Sequence, residues 1–276
     1  MSLLHLILLA IIQGLTEFLP VSSSAHLILP AKVMDWPDQG PLIDLMAHLG
    51  SLGAVFVYFR KDVAKMIAGG FDLLAFGQAR QHSGNAKLAL NIVVATPPVL
   101  IIGAIMAFSG LDEAVRNEYV IAIAFIVFGI ILWLSDIYGK KIKSIDIMSW
   151  KGAAVIGLAQ TIALIPGTSR SGITMTAARA LGYTRPEAAR FSMLMAIPVI
   201  LVGGAYAALK LVSEGQGTAD MGDAALVVVL SFFAAWAAIA VFMKLVARVS
   251  FLPFMIYRVA VGAGLLWWLS SGGGAG

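Results

Sequence analysis

Six apolar runs, at about 42–59, 89–108, 119–138, 191–211, 224–243 and 253–270, each approach the roughly 20 residues that a helix needs to cross a hydrocarbon core. Backbone polar groups inside a bilayer must be satisfied within the protein, so helices are expected throughout. With 60% hydrophobic and 12% charged residues over 276 positions, the composition excludes a soluble globular domain and predicts an all-α polytopic membrane protein. Cysteine is absent, so neither disulfides nor thiolate chemistry is available. The run from Met1 to Ile12 lacks a basic lead and a small-residue cleavage site and is expected to stay in the mature protein. Residues 271–276 are expected to form a flexible tail.

Two further apolar stretches, about 2–33 and 152–178, are interrupted by Pro20 and Pro166, each followed by small hydroxyl residues. Proline removes a donor and clashes with the preceding turn, while Ser and Thr favour N-cap positions, so each stretch predicts helix, break, new helix. Lys and Arg concentrate at 60–88, 139–151, 179–190 and 244–258, which places those segments inside the cell. The segments 31–41, 109–118 and 212–223 carry Asp35, Asp38, Asp112, Glu113, Glu118, Glu214, Asp220 and Asp223 against Lys32 and Arg116, and are expected outside. With six crossings between them, both broken stretches must begin and end on one side, as re-entrant hairpins entering from opposite faces.

Phe18-Leu19-Pro20-Val21-Ser22-Ser23-Ser24 and Leu164-Ile165-Pro166-Gly167-Thr168-Ser169-Arg170 share an order of apolar pair, proline, small residue and hydroxyls. This predicts an inverted-topology repeat within a single membrane domain, 1–276, with repeats at 1–138 and 139–270 and the site at the meeting point of the discontinuous helices.

The breaks also carry polar chemistry that is costly in lipid, about 2.5–3.5 kcal/mol or more for each charged group at the bilayer centre. A helix starting after Pro166-Gly167 offers free N–H groups and a positive dipole end at Thr168-Ser169, and Arg170 adds a bidentate donor for phosphate oxygens. Ser22, Ser23 and Ser24 form a second such terminus, so the two together could grip a diphosphate from both sides, with Ser22, Ser24, Gly167, Thr168 and Ser169 as candidate phosphate-binding residues. Glu17 lies four residues after Gln13 on the same helix face and can hold a hard divalent cation, with Gln13 as neutral companion ligand. His26 lies one turn beyond Ser23, where an imidazole can exchange a proton.

Duller readings stand beside these. A membrane serine often bonds a carbonyl one turn back. Arg170 could simply neutralise Glu17, and His26 could be a satisfied packing residue. Asp44 and His48 read as a bonded pair steadying a hairpin or as support for the site. Asp136 reads as an interfacial residue, and Trp36, Tyr58, Tyr119, Trp133, Tyr138, Trp150, Trp267 and Trp268 as interfacial anchors.

The stretches Glu17 to His26 and Pro166 to Thr174 resemble the two signature motifs of the bacterial undecaprenyl-diphosphate phosphatases, the bacitracin-resistance protein family. The resemblance implies removal of the terminal phosphate from a C55 polyprenyl diphosphate, regenerating the carrier lipid for peptidoglycan and other envelope glycans. It implies a divalent cation, Mg²⁺ or Ca²⁺, a multi-pass location in the bacterial inner membrane with the site opening to the periplasm, and lower sensitivity to bacitracin when the protein is abundant. Carried over by motif, the nucleophile falls on Ser23, the histidine on His26, the acid on Glu17 and the phosphate-holding arginine on Arg170, with Ser169, Ser171 and Thr174 around it as further phosphate-binding residues. The segment before the histidine, commonly Ser-Ser-Thr-Gly-His in the family, is Ser-Ser-Ser-Ala-His here, which leaves the local backbone geometry open.

The mechanism expected has Glu17, the cation and Arg170 neutralising the diphosphate while Ser23 attacks with His26 as proton partner; direct attack by water, with Ser23 holding phosphate, stands beside it. Two other classes are weighed: a polyprenyl-phosphate flippase built on the same inverted repeat, and an acid lipid phosphatase, whose expected second catalytic histidine and Lys–Arg pair are not recognisable in this sequence. The expected partners are the lipid substrate and membrane lipids, with no nucleic acid. Ala234 to Ala240 and Gly203-Gly204 permit close packing within one chain or in a homodimer.

Overall fold

The computed structural model describes residues 2–33, 36, 39–74, 83–139, 142–213 and 221–271, without the side chains of 31–33, 112 and 113. Asp35, Asp38, Glu214, Asp220, Arg80, Lys140, Lys141, residues 272–276 of the expected tail, and the side chains of Lys32, Asp112 and Glu113 lie outside the described residues.

The first broken stretch folds as α1 (Leu3–Glu17) and α2 (Ser23–Val33), which pack on each other across the Pro20 turn. A span, α3 (Gly40–Tyr58), leads into α4 (Arg60–Leu74), and α5 (Gly84–Ala95) and α6 (Pro97–Ser109) form the next span. Pro97 and Pro98 supply no donors, so the ladder is interrupted at Thr96, whose hydroxyl turns back to the Ile92 carbonyl at 2.7 Å. The single turn α7 (Leu111–Ala114) precedes the span α8 (Glu118–Tyr138). The second broken stretch is α9 (Trp150–Gln160), a 3₁₀ turn at Thr161–Leu164, and α10 (Arg170–Ala180). Three spans follow: α11 (Arg185–Ser213), α12 (Met221–Val246) and α13 (Leu252–Ser270). Each expected span is found with its ends moved by a few residues. Among the described residues there is no strand, only an isolated bridge between Lys143 and Tyr183.

The described segment 60–74, expected as part of a connecting loop, is the helix α4; its Val63 and Gly69 are buried. A Cβ on Gly69 would stand 2.0 Å from the Asn85 carbonyl oxygen, so only glycine lets α4 approach α5 this closely. Within each span window, 28–44% of residues are buried inside the protein, while Phe108, Val241 and Ile256 project outward exposed. A water-facing protein would hide such faces; here the bilayer is the solvent.

Each broken stretch docks on spans from the other half of the chain. α1 and α3 lie against α12, where a Cβ on Gly14 would meet Ala234 Cβ at 2.6 Å. α9 lies against α5 and α10 against α8. The small residues at 203, 204 and 234 are thus used within the chain: Gly204 faces Leu45, and Gly203 and Gly204 line a cavity.

Three charged residues expected at interfaces or in loops are instead buried. Asp136 is 1% exposed, and its Oδ1 accepts from Arg179 Nε at 3.0 Å and from Arg185 Nε at 2.7 Å, while Oδ2 accepts from the Phe251 N–H at 3.2 Å. Arg179, fully buried on α10, also donates to the Asp136 and Tyr183 carbonyls. Arg258 is buried as well, inside α13. Near a span end a cation reads as a loop residue by position alone; burial follows from partners that are distant in sequence.

Candidate active site

Both breaks are built around a serine forced into the left-handed region, Ser22 at φ 73° and Ser169 at φ 72°. Such a conformation costs a non-glycine residue about 1–3 kcal/mol and persists only where surrounding contacts fix it. Each strained serine immediately precedes a new helix, so Ser23 and Arg170 occupy matching first positions of α2 and α10. Ser169 caps α10 through an Oγ that accepts from the Gly172 N–H at 3.1 Å.

The contacts that hold these turns come from one guanidinium. Arg258 donates to the carbonyls of Pro20 (3.3 Å) and Gly167 (2.8 Å), one in each break, and to Ala124 (3.1 Å) and Phe125 (3.2 Å) of α8. Ser171 Oγ adds a 2.8 Å bond to the Leu19 carbonyl, and Arg170 stacks over Phe18 at 6.0 Å.

Glu17, 7% exposed, is where the two breaks meet. Its Oε2 accepts from Ser23 Oγ at 2.6 Å and Gln13 Nε2 at 3.0 Å; its Oε1 pairs with Arg170 Nη2 at 3.1 Å. Arg170 also donates to the Ser192 carbonyl at 3.4 Å. Arg170 thus contacts the Glu17 carboxylate through Nη2 alone.

The other expected residues divide into two groups. His26 is held at both nitrogens: Nδ1 donates to the Ser22 carbonyl at 2.7 Å, which leaves Nε2 to accept from the Tyr257 hydroxyl at 2.6 Å. Ser23 Oγ bonds Glu17 and not His26, so the contact expected between serine and histidine is replaced by one between serine and glutamate. Thr174 Oγ1 lies 2.7 Å from Ser192 Oγ and bonds α10 carbonyls, and Ser24 Oγ lies 3.3 Å from Ser22 Oγ; these hydroxyls tie the turns together. Thr168 Oγ1 and Gln13 Oε1 are buried with no hydrogen-bond partner among the described residues.

Asp44 and His48 belong to the site's surroundings. His48 Nδ1 donates to the Asp44 carbonyl at 2.7 Å and its Nε2 stands 3.7 Å from Glu17 Oε2, while the Asp44 carboxylate accepts from Gln39 at 2.8 Å. Glu17, Asp44, His48 and Arg170 line a cavity of about 390 Å³ whose far wall is Val199, Ile200, Gly203 and Gly204 of α11.

Among the described residues no three His, Cys, Asp or Glu side chains gather as a cation cage. Gln13 turns its amide nitrogen to the Glu17 carboxylate while its Oε1 has no partner among the described residues, so Glu17 and the Gln13 oxygen are the hard oxygen donors that these residues offer.

Sequence reading missed Arg258, Tyr257 and Ser192. Arg258 had a signal, a cation within an apolar run; Tyr257 and Ser192 had none, since each is defined by a partner more than a hundred residues away or on another helix.

The family model described as bacitracin resistance protein BacA matches residues 6–264. An undecaprenyl-diphosphatase of Maricaulis maris is 54% identical over 269 residues, covering 96% of this chain and 98% of that one. Undecaprenyl-diphosphatase 1 of Pseudoalteromonas translucida is 46% identical, covering 98% and 100%, and an undecaprenyl-diphosphatase of Alcanivorax borkumensis is 48% identical, covering 96% and 98%.

Proposed function

The chain belongs to the bacitracin resistance protein BacA family, and from that membership and the site's geometry we propose that it hydrolyses undecaprenyl diphosphate to undecaprenyl phosphate and inorganic phosphate. This returns the carrier lipid to peptidoglycan and envelope glycan synthesis and lowers sensitivity to bacitracin. The observation that carries the chemistry is the 2.6 Å bond from Ser23 Oγ to Glu17 Oε2, with Arg170 on the other carboxylate oxygen.

On binding, the diphosphate takes over the Arg170 donors from Glu17, and the freed carboxylate becomes the base for Ser23. The Ser23 Oγ–phosphorus bond forms as the bond from phosphorus to the bridging oxygen breaks; the hydroxyl proton passes to Glu17 and undecaprenyl phosphate departs. Water then attacks the phosphoserine, the Oγ–phosphorus bond breaks, and a proton returns to Ser23. Gln13 and Glu17 would hold the divalent cation, which supplies charge neutralisation on the phosphate oxygens. The free N–H groups at the start of α2 offer donors to the same anion. The hydrolase names of the relatives favour this reading over a flippase.

The two broken stretches serve as re-entrant hairpins of an inverted repeat, 1–138 and 139–270, in a multi-pass protein of the bacterial inner membrane. Its cavity opens toward the periplasm, supported by Asp44 and Pro41 at its lining beside the acidic segment 31–41. The test is phosphate release from C55 diphosphate by detergent-purified protein. Release that stops with a chelator and returns with Mg²⁺, accompanied by phosphoserine at position 23 after acid quench, is the expected result. A folded protein that binds the lipid but releases no phosphate would overturn the proposal.

A further inference from the structure

A second cavity adjoins the site. Between α6 and α11 runs a groove of about 360 Å³, walled by Gly103 and Phe108 on one side and Val202 and Tyr206 on the other. Leu164, the last residue of the 3₁₀ turn before the second break, forms its inner end. Tyr206 brings the sole polar side chain of its lining. Val199 and Gly203 line both this groove and the Glu17–Arg170 cavity, so the two are contiguous. A third depression, between Leu15, Leu19 and α12–α13, is equally apolar but shares no lining residue with the cavity.

We propose that the α6–α11 groove binds the head-proximal isoprene units of the substrate, and so makes the enzyme discriminate by tail as well as by diphosphate. This rests on the hydrolytic reading above. A polyprenyl diphosphate changes from highly charged to purely apolar within one bond, and its binding site must do the same. Here the change occurs at Val199 and Gly203: acid, imidazole and guanidinium on one side, aliphatic and aromatic carbon on the other. Its volume lies in the ~300–1,000 Å³ range of sites that enclose a small ligand, enough for the head of the chain, with the remainder left in lipid. Gly103 keeps the groove open: a Cβ there would rest 3.4 Å from Leu164 Cδ2, in ordinary contact, so a longer side chain would extend into the groove without disturbing the backbone. The groove adds a determinant of specificity beside the diphosphate.

The experiment compares kcat/KM for C55 diphosphate with that for a C5 diphosphate in the parent, Gly103→Leu, Ala107→Trp and Ala237→Trp, the last placing equal bulk in the separate depression. The expected result is a C55-to-C5 ratio at least tenfold lower in both groove variants and unchanged in Ala237→Trp. A ratio unchanged in well-folded groove variants, or lowered as much by Ala237→Trp, would overturn the inference. A diphosphate with a photoreactive prenyl tail reads occupancy without turnover: crosslinks at Phe108 or Tyr206 support the groove, and crosslinks at Phe254 instead overturn it. Failure of the parent to release phosphate while still crosslinking in the groove would count against hydrolysis and not against the groove.

Discussion

The two helix breaks share a strained serine ahead of a new helix and differ in chemistry and in the rest of the turn, since a 3₁₀ turn and Gly167 at φ 91° occur only in the second. In each, a glutamine stands nine residues before a serine at φ near 72°, Gln13 before Ser22 and Gln160 before Ser169, and a helix starts at the next residue. Glu17, five residues before Ser22, corresponds to Leu164, five before Ser169; Ser23 corresponds to Arg170, and His26 to Ile173. One break therefore carries the acid and the candidate nucleophile, and the other carries the cation and the apolar residue that ends the tail groove. The comparison teaches that the strained serine belongs to the scaffold, and that the candidate site lies where two unlike breaks meet. Arg258 bonds one carbonyl in each, and the Ser171–Leu19 bond and the Arg170–Glu17 pair join them directly.

The largest effect expected from breaking this pairing is at the charges. Glu17→Gln and Arg170→Ala should each lower phosphate release by about 10²–10⁴, and Arg170→Lys should recover little, because the bidentate fork is lost. Steady-state turnover of C55 diphosphate checks both.

The scaffold comes next. Asp136→Asn leaves Arg179 and Arg185 without their buried counter-charge and should cost about 3–5 kcal/mol of stability, read as a fall in Tm in detergent. Arg258→Met strands carbonyls in both breaks; at about 1–3 kcal/mol for each unsatisfied buried group, it should lower Tm and turnover together. Loss of Tm with turnover intact would show that the breaks hold their geometry without Arg258.

The smallest effect sharpens the claim that the two strained serines play the same backbone role. Ser22→Gly should raise stability by about 1 kcal/mol, since glycine takes positive φ without strain. Ser169→Gly should gain less, as it also gives up the cap to Gly172. A clear loss in either variant would mean that the serine hydroxyl contributes more than the turn conformation.

Much of this was legible in the sequence. Length and hydrophobicity located all six spans, because a bilayer imposes one length on every crossing. Proline followed by hydroxyls located both breaks, since that chemistry is local. Glu17 and Arg170 could be singled out because charged groups are costly in lipid, whereas Ser23 was distinguished from Ser22 and Ser24 only through the resemblance. What could not be read is whatever depends on contact between distant segments: the burial of Arg179, Asp136 and Arg258, the coupling of His26 to Tyr257, and the choice of Glu17 as the partner of Ser23. α4 was missed for a different reason, since its charged residues masked a short amphipathic face.

The most direct test of a single site divided between two breaks is phosphate release from C55 diphosphate by Ser23→Ala, Arg170→Ala and the double variant. If Ser23 and Arg170 act on one phosphoryl group, each single loss is about 10² or greater and the double variant is little worse than the poorer single. Losses that multiply, or parental turnover in either single variant, would contradict the account.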